Sequence, residues 1–159
     1  MSDEIHFLSI GEASRLIEEK KLSPVEYVDA LLARIESLNP ILDAFLLVTG
    51  DQARAEAKVA ETEITAGRYK GPLHGIPFAL KDIYDTKGIL TTAHSKILIN
   101  NVPDKDATSV ANLKQAGGIL LGKLATHEFA HGGPSLDLPW PPARNPWDLA
   151  RFTGGSSTG

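Results

Sequence analysis

Cysteine is missing from all 159 residues, and this absence removes several kinds of chemistry at once. Without thiols the chain holds no disulfide, no thiolate metal site and no cysteine nucleophile. Long apolar runs are missing too, since no stretch approaches the roughly 20 residues that span a bilayer. The first residues, MSDEIH, have neither the basic nor the apolar segment of a secretory signal. We therefore expect a cytoplasmic protein with no membrane segment.

Clustered positive charge is also missing from this chain. The formal net charge is -4, and no run of lysines or arginines occurs. The sequence therefore offers no basic surface for the phosphate backbone of a nucleic acid, and we expect no direct nucleic-acid contact. The hydrophobic share of 42% and the charged share of 23% are typical of a folded globular protein rather than a disordered one.

Helix signals dominate residues 8–66. Ser9 and Ser23 each stand three residues before a glutamate, which fits the capping box, where both side chains satisfy free backbone N–H groups. After the second box, apolar residues recur at helical spacing until Pro40, which predicts the end of that helix. The other predicted segments are a strand at 44–48, a helix at 49–66 ended by Gly67, a helix at 107–116 and a strand at 118–122.

The second half of the chain is punctuated by glycine and proline. A brief apolar run at 78–80 leads directly into Lys81, and the proline-rich chain after Gly132 is predicted to be a loop. Helices that alternate with short buried strands are typical of an α/β layer architecture. The sequence therefore predicts the α/β fold class.

Residues 117–123 (GGILLGK) have the glycine and lysine spacing of a phosphate-binding loop. The residue after Lys123 is Leu124, which offers no hydroxyl to magnesium. The Ile-Leu-Leu interior favours burial over a backbone nest around phosphate. We therefore interpret this segment as a buried strand.

Residues 127–131 fit the pattern H-E-x-x-H. On an α-helix His127 and His131 would share a face and could hold zinc, with Glu128 as the general base. However, glycine and proline at 132–134 stop a helix directly after His131. We favour a surface turn with two solvated histidines, and a zinc-dependent peptidase remains as the alternative function from a different class.

Residues 155–159 (GSSTG) fit G-x-S-x-G, with Ser157 in the position of a nucleophile elbow. An elbow serine follows a buried strand, and its acid and histidine partners come later in the chain. Residues 149–153 do not form a convincing central strand. The pattern alone leaves open an α/β-hydrolase serine or a plain glycine–serine linker.

Lys81 is notable because it follows an apolar run directly, and an amine is costly to bury in its charged form. Burial lowers the pKa of a lysine in general and can leave a neutral amine that acts as a base. The alternative is that the side chain turns outward or pairs with Asp82.

Residues 71–82 (GPLHGIPFALKD) resemble the catalytic-lysine segment of the amidase signature family. The resemblance continues in family order through 106–108 (DAT), 116–123 (AGGILLGK), 128–130 (EFA), 145–148 (NPWD) and 154–157 (GGSS). It extends from near residue 8 to residue 159, since the two capped helices also resemble this family. The sequence departs from the family at His94 and Thr158, where glycine is frequent.

The resemblance implies the N-terminal part of the amidase signature fold, with a mixed β-sheet core flanked by helices. Residues 1–159 would then be the N-terminal portion of a single amidase domain. Lys81 would be the catalytic lysine, and Ser156 the middle serine, which in this family is held on a cis peptide bond and bridges the lysine and the nucleophile. The nucleophilic serine would lie beyond Gly159, in a later glycine-rich stretch.

The implied reaction is hydrolysis of a carboxylic amide C–N bond through a Ser-Ser-Lys acyl-enzyme mechanism. The substrate would be a small-molecule amide, and neither an organic cofactor nor a metal is required. A finer hypothesis is the glutamine-hydrolysing subunit of a tRNA-dependent amidotransferase, which would have partner subunits. The alternatives are the zinc-dependent peptidase and a catalytically incomplete fragment, which these 159 residues would be if expressed alone.

Overall fold

The computed structural model describes residues 5–159; residues 1–4, part of the segment that lacks signal features, lie outside the described range. In chain order the helices are α1 (Ile10–Glu18), α2 (Pro24–Leu42), α3 (Gly50–Thr65) and α4 (Thr108–Gln115). The strands are β1 (Phe45–Val48), β2 (Pro77–Lys81), β3 (Ile119–Leu124), β4 (Arg144–Asn145) and β5 (Asp148–Phe152). Two 3₁₀ turns lie at Lys96–Leu98 and Glu128–Ala130. No helix among the described residues is long and apolar enough to cross a membrane.

Side chains cap the first two helices. Ser9 Oγ accepts from Glu12 N, and Glu12 Oε2 accepts from Ser9 N at 2.9 Å, so the first predicted capping box is confirmed. At the second site Ser23 Oγ accepts from Val25 N at 3.0 Å, while its hydroxyl donates to Glu61 Oε1 of α3. The serine thus caps α2 and also ties it to another helix.

Helix α2 continues through Pro40 to Leu42, so the predicted end at Pro40 is wrong. Proline removes a backbone donor, and this loss is tolerable here because only Ile41 and Leu42, less than one helical turn, follow it in the helix. Asp43 N still donates to Asn39 O at 2.8 Å, and the Asn39 side chain bonds the N–H and the carbonyl of Phe45. These bonds direct the chain from the helix into β1.

The main sheet has the order β1-β3-β2. Strands β1 and β3 are antiparallel, with Phe45 opposite Leu124 and Val48 opposite Gly122. Along β2 and β3, Ile119 N donates to Ile76 O and Asp82 N donates to Leu124 O, so both chains advance in the same direction. The sheet is therefore mixed, and the predicted α/β class with helices and a mixed sheet is confirmed.

The chain after Gly132 is less irregular than predicted. Strands β4 and β5 form a separate two-stranded antiparallel sheet, although every residue of β5 is exposed. Asn145 Oδ1 accepts from Trp147 N at 2.9 Å, a local side-chain bond that closes the turn between the strands. The sequence pattern did not predict this hairpin, because strands are recognised in a sequence by the apolar residues that they bury, and the apolar residues of β5 are exposed.

The described chain divides into two compact units. One comprises the described residues up to Ile35 with Thr49–Phe78 and Ala111–Leu121, and its core contains fully buried Ala13, Ile17, Val28 and Ala57. The other comprises Glu36–Val48, Ala79–Val110 and Gly122–Gly159, with Val110 and Ala125 fully buried. That residues 1–159 belong to a single domain stays a prediction.

Candidate active site

Lys81 and Ser156 meet in the second of these units. Lys81 Nζ lies 2.6 Å from Ser156 Oγ, although the two residues are 75 positions apart in the chain. Both side chains are half-buried, so their polar ends are neither in bulk water nor sealed from it. The structure thus brings together the two residues that the family resemblance singled out, while their catalytic roles stay a prediction at this point.

The end of β2 positions Lys81. The next residue, Asp82, donates its N–H to Leu124 O at 3.0 Å, which extends the pairing of β2 with β3 beyond the lysine. Lys81 O accepts from Ile83 N and Tyr84 N, so the chain turns immediately afterwards. The lysine therefore lies where the sheet ends, a common place for functional side chains in α/β proteins.

The extension of β3 positions Ser156. Ser156 O accepts from Thr126 Oγ1 at 2.8 Å and from His127 N at 2.9 Å. Ser157 forms an isolated antiparallel bridge with Thr126. The Gly155–Ser156 peptide bond is cis, as the resemblance implies for the middle serine. Thr126 was not singled out from the sequence, where a lone threonine after a strand carries no signal.

His127 is 7% exposed, so its prediction as a solvated histidine is wrong. A Cβ atom added to Gly155 would overlap the His127 ring, which means that this ring packs directly on the backbone before Ser156. Neither His127 Nδ1 nor Nε2 has a hydrogen-bond partner among the residues that the structure describes. His131 is exposed, as expected.

The H-E-x-x-H segment is not an α-helix. Glu128–Ala130 forms a 3₁₀ turn in which Phe129 and Ala130 have φ angles of 47° and 58°. His127 and His131 therefore do not share a helix face, and Glu128 Oε1 accepts from Ser95 Oγ at 2.7 Å. Within residues 5–159 no group of three or more His, Cys, Asp or Glu side chains could hold a metal ion. The zinc-peptidase alternative finds no support in this geometry.

The structure also locates the other two short motifs, residues 117–123 and 155–159. Lys123 lies inside β3 and is fully buried, so the interpretation of 117–123 as a buried strand rather than a phosphate loop holds at this lysine. Its Nζ lies 3.3 Å from Asp82 Oδ1, so Asp82 pairs with Lys123 and Lys81 reaches Ser156 instead. Ser157 is exposed and follows the exposed β5, which is not the buried strand that a nucleophile elbow requires.

His94 stands where glycine is frequent in the resembled family, and the backbone explains that preference. Ala93 and His94 have φ angles of 50° and 57°, in the left-handed region that glycine adopts most easily. His94 is buried, with Nε2 3.1 Å from Trp140 O and its ring edge-on to the Trp140 ring. These contacts stabilise the turn without glycine.

Comparison with known proteins identifies the family. The sequence model of the Amidase family matches residues 26–159. The chain belongs to the amidase family. Among curated relatives of this amidase chain, a glutamyl-tRNA(Gln) amidotransferase subunit of Geobacter metallireducens is 48% identical over 156 residues. That alignment covers 98% of this chain but 32% of the relative, so the chain spans about a third of the relative's length.

Solved structures agree with the amidase assignment. A protein from a vestigial complex, described as revealing the evolutionary origins of an s-triazine catabolic enzyme, superposes with a TM-score of 0.88 and 35% identity. That match covers 94% of this chain and 33% of the other. A bacterial aryl acylamidase of the amidase signature family superposes with a TM-score of 0.87 and 28% identity, over 96% of this chain and 32% of the other.

Proposed function

We propose that this amidase chain supplies the general base and the relay serine of an enzyme that hydrolyses carboxylic amides. The observation that carries the proposal is the 2.6 Å separation of Lys81 Nζ and Ser156 Oγ, which is within reach for direct proton transfer. The family assignment supports amide chemistry, since one relative in the family is named an aryl acylamidase.

In the proposed mechanism Lys81 acts with an unprotonated Nζ. Ser156 Oγ passes its proton to Lys81 Nζ while it takes a proton from a nucleophilic serine that these 159 residues do not supply. The nucleophile's oxygen bonds to the amide carbonyl carbon, and the C–N bond then breaks. The relay returns the proton to the leaving amine, and the acyl-enzyme remains.

The second half of the cycle uses the same relay in the same order. Water loses a proton through Ser156 to Lys81 as its oxygen bonds to the acyl carbon, and the proton then returns to the nucleophilic serine as the ester bond breaks. The products are a carboxylic acid and an amine or ammonia. No organic cofactor or metal takes part in this scheme.

Within this class we favour a glutamine-hydrolysing subunit of a tRNA-dependent amidotransferase. The support is the 48% identity to the Geobacter metallireducens protein, which is named as a subunit of glutamyl-tRNA(Gln) amidotransferase. The net charge of -4 agrees with a chain that leaves tRNA binding to a partner subunit. In that case the ammonia released from glutamine would pass to the partner.

The test uses the full-length protein that contains this chain, assayed with glutamine for ammonia release and with a 4-nitroanilide for amine release. Lys81→Ala and Ser156→Ala should each lower kcat by roughly 10³-fold or more, because both groups serve one relay. Hydroxylamine should trap the acyl group from the active protein only. Lys58→Ala, at an exposed position of α3, is the matched control and should keep full activity. Undiminished turnover in both site variants would refute the mechanism.

A further inference from the structure

A second lysine, Lys123, lies near the proposed relay but takes no part in it. Lys123 is 0% exposed and Asp82 is 1% exposed, and Lys123 Nζ lies 3.3 Å from Asp82 Oδ1. A lysine is almost never fully buried without a partner, because removing its charge from water is costly. Apolar residues of similar volume often stabilise a core as well as such a pair does. Stability alone therefore does not explain why this buried ion pair is present.

The two side chains fasten the segment that follows β2. Lys123 Nζ donates to Tyr84 O at 2.8 Å and to Thr91 Oγ1 at 2.6 Å. Asp82 Oδ2 accepts from Thr92 N at 2.9 Å and from Thr92 Oγ1 at 2.6 Å. Both the start of this segment and its return toward the sheet are thus bonded to a single ion pair inside the core.

This network begins at the peptide group that follows Lys81. Asp82 N donates to Leu124 O, and Asp82 O accepts from Ala93 N at 2.8 Å. Both the backbone and the side chain of Asp82 are therefore fixed by hydrogen bonds to other residues. The Lys81 backbone cannot rotate at its C-terminal side without breaking these bonds. Hydrogen bonds to charged groups are directional, so they fix the positions of the bonded atoms more narrowly than apolar contacts do.

The same strand also carries the other member of the relay. Three residues after Lys123, Thr126 Oγ1 donates to Ser156 O at 2.8 Å. Strand β3 and its extension thus connect to Lys81 through Asp82 and to Ser156 through Thr126. A shift of the strand at Lys123 would change the separation of the two reacting groups.

We propose that the buried Lys123–Asp82 pair is a positioning device that sets the distance between Lys81 Nζ and Ser156 Oγ. This inference rests on the proposed function of Lys81 and Ser156 in amide hydrolysis. Lys123 and Asp82 act through other residues and do not touch the substrate. A misplacement of about 1 Å in such a relay lowers the rate by about 100-fold.

The first variant is the double replacement Lys123→Met with Asp82→Asn in the full-length protein. It removes both charges together, so no unpaired charge stays buried, and the thermal midpoint should stay near that of the wild type. We expect kcat for the 4-nitroanilide to fall about 10- to 100-fold while KM changes less than about 2-fold. A folded double variant with wild-type kcat would overturn the inference.

An epistasis test separates positioning from general loosening of the fold. In a Lys81→Ala background the same double replacement should cause no further loss of the residual rate, because the group that it positions is gone. A loss by the same factor in both backgrounds would show a merely structural role. The matched control is Arg54→Met with Asp29→Asn, an exposed pair with a 2.7 Å ion contact, which should leave kcat unchanged.

A milder variant decides the question if the double replacement does not fold. Thr92→Val removes the hydroxyl that donates to Asp82 Oδ2 and accepts from His94 N, but it leaves both charges in place. We expect kcat to fall about 3- to 10-fold with an unchanged KM, since one directed bond to the positioning carboxylate is lost. Wild-type kcat in this variant would overturn the inference. Full activity in Lys81→Ala and Ser156→Ala would instead overturn the proposed function.

Discussion

Gly155 shows how one missing side chain shapes the candidate site. The His127 ring occupies the space that a Cβ atom at Gly155 would need. The next residue along the chain is Ser156, whose Oγ lies 2.6 Å from Lys81 Nζ. The contact between the His127 ring and the Gly155 backbone therefore helps to place Ser156, the proposed relay serine.

The prediction at this scale is that Gly155→Ala lowers amidase activity of the full-length protein by about 100-fold, because the added methyl pushes Ser156 away from Lys81. Steady-state kcat on the 4-nitroanilide measures the effect. Adding His127→Ala to the same protein should restore part of the lost rate, since the obstructing ring is removed. Wild-type activity in Gly155→Ala would contradict the prediction, because it would show that the backbone at position 155 can shift without moving Ser156.

Among the elements, the pairing of β1 with β3 depends on close backbone contact at Gly122. A Cβ atom there would overlap Leu47 O on the neighbouring strand. Gly122→Ala should therefore lower the free energy of unfolding by about 1–3 kcal/mol, the usual range for overpacking a core. Urea denaturation measures it. The matched control is Gly11→Ala in α1, where nothing lies within 4 Å of the added atom and a small gain in stability is expected.

The connection between α3 and β2 contains a buried imidazole, His74. His74 Nδ1 accepts from Lys70 N at 3.1 Å, so Nε2 carries the proton and faces Glu63 Oε2 at 3.1 Å. Burial lowers the pKa of His74 below its ordinary value of 6.5, and the nearby Lys70 charge acts in the same direction. The neutral ring is therefore the form that the folded protein prefers.

Stability should consequently fall as the pH decreases below 6.5, because the unfolded chain takes up this proton at a higher pH than the folded one. The loss should level off once the pH is below the lowered pKa of folded His74. Urea denaturation of the wild type and of His74→Gln over this pH range measures the contribution. The variant should lack this component of the pH dependence; identical pH profiles would contradict the prediction.

At the scale of the whole molecule, the site holds two of the three groups that the proposed mechanism requires. The chain matches 32% of the length of its amidotransferase relative. We expect the isolated 159-residue chain to show no amide hydrolysis, because Ser156 and Lys81 lack a nucleophile to activate. The longer protein should be active on the same substrates. Turnover by the isolated chain that depends on Ser157 would instead assign the nucleophile to the G-x-S-x-G segment.

Local patterns in the sequence were enough for much of the fold. The Ser9 cap, the extent of α3 and the buried strand around 118–122 follow from side-chain spacing over a few residues, and the structure confirms them. Local patterns failed at Pro40 and in the β4–β5 hairpin. An asparagine side chain bonds the backbone near both places: Asn39 bonds Phe45 just after the helix, and Asn145 accepts from Trp147 N in the turn of the hairpin.

The residue types and their order along the chain are sufficient to recognise the family and to single out Lys81 and Ser156. Which side chains meet depends on the folded chain. It places Lys81 against Ser156 across 75 positions, pairs Asp82 with Lys123, and buries His127 against Gly155. The physical reason is that caps and periodicity act over a few residues, whereas these contacts depend on the register of β2 and β3 and on the path of the chain beyond them.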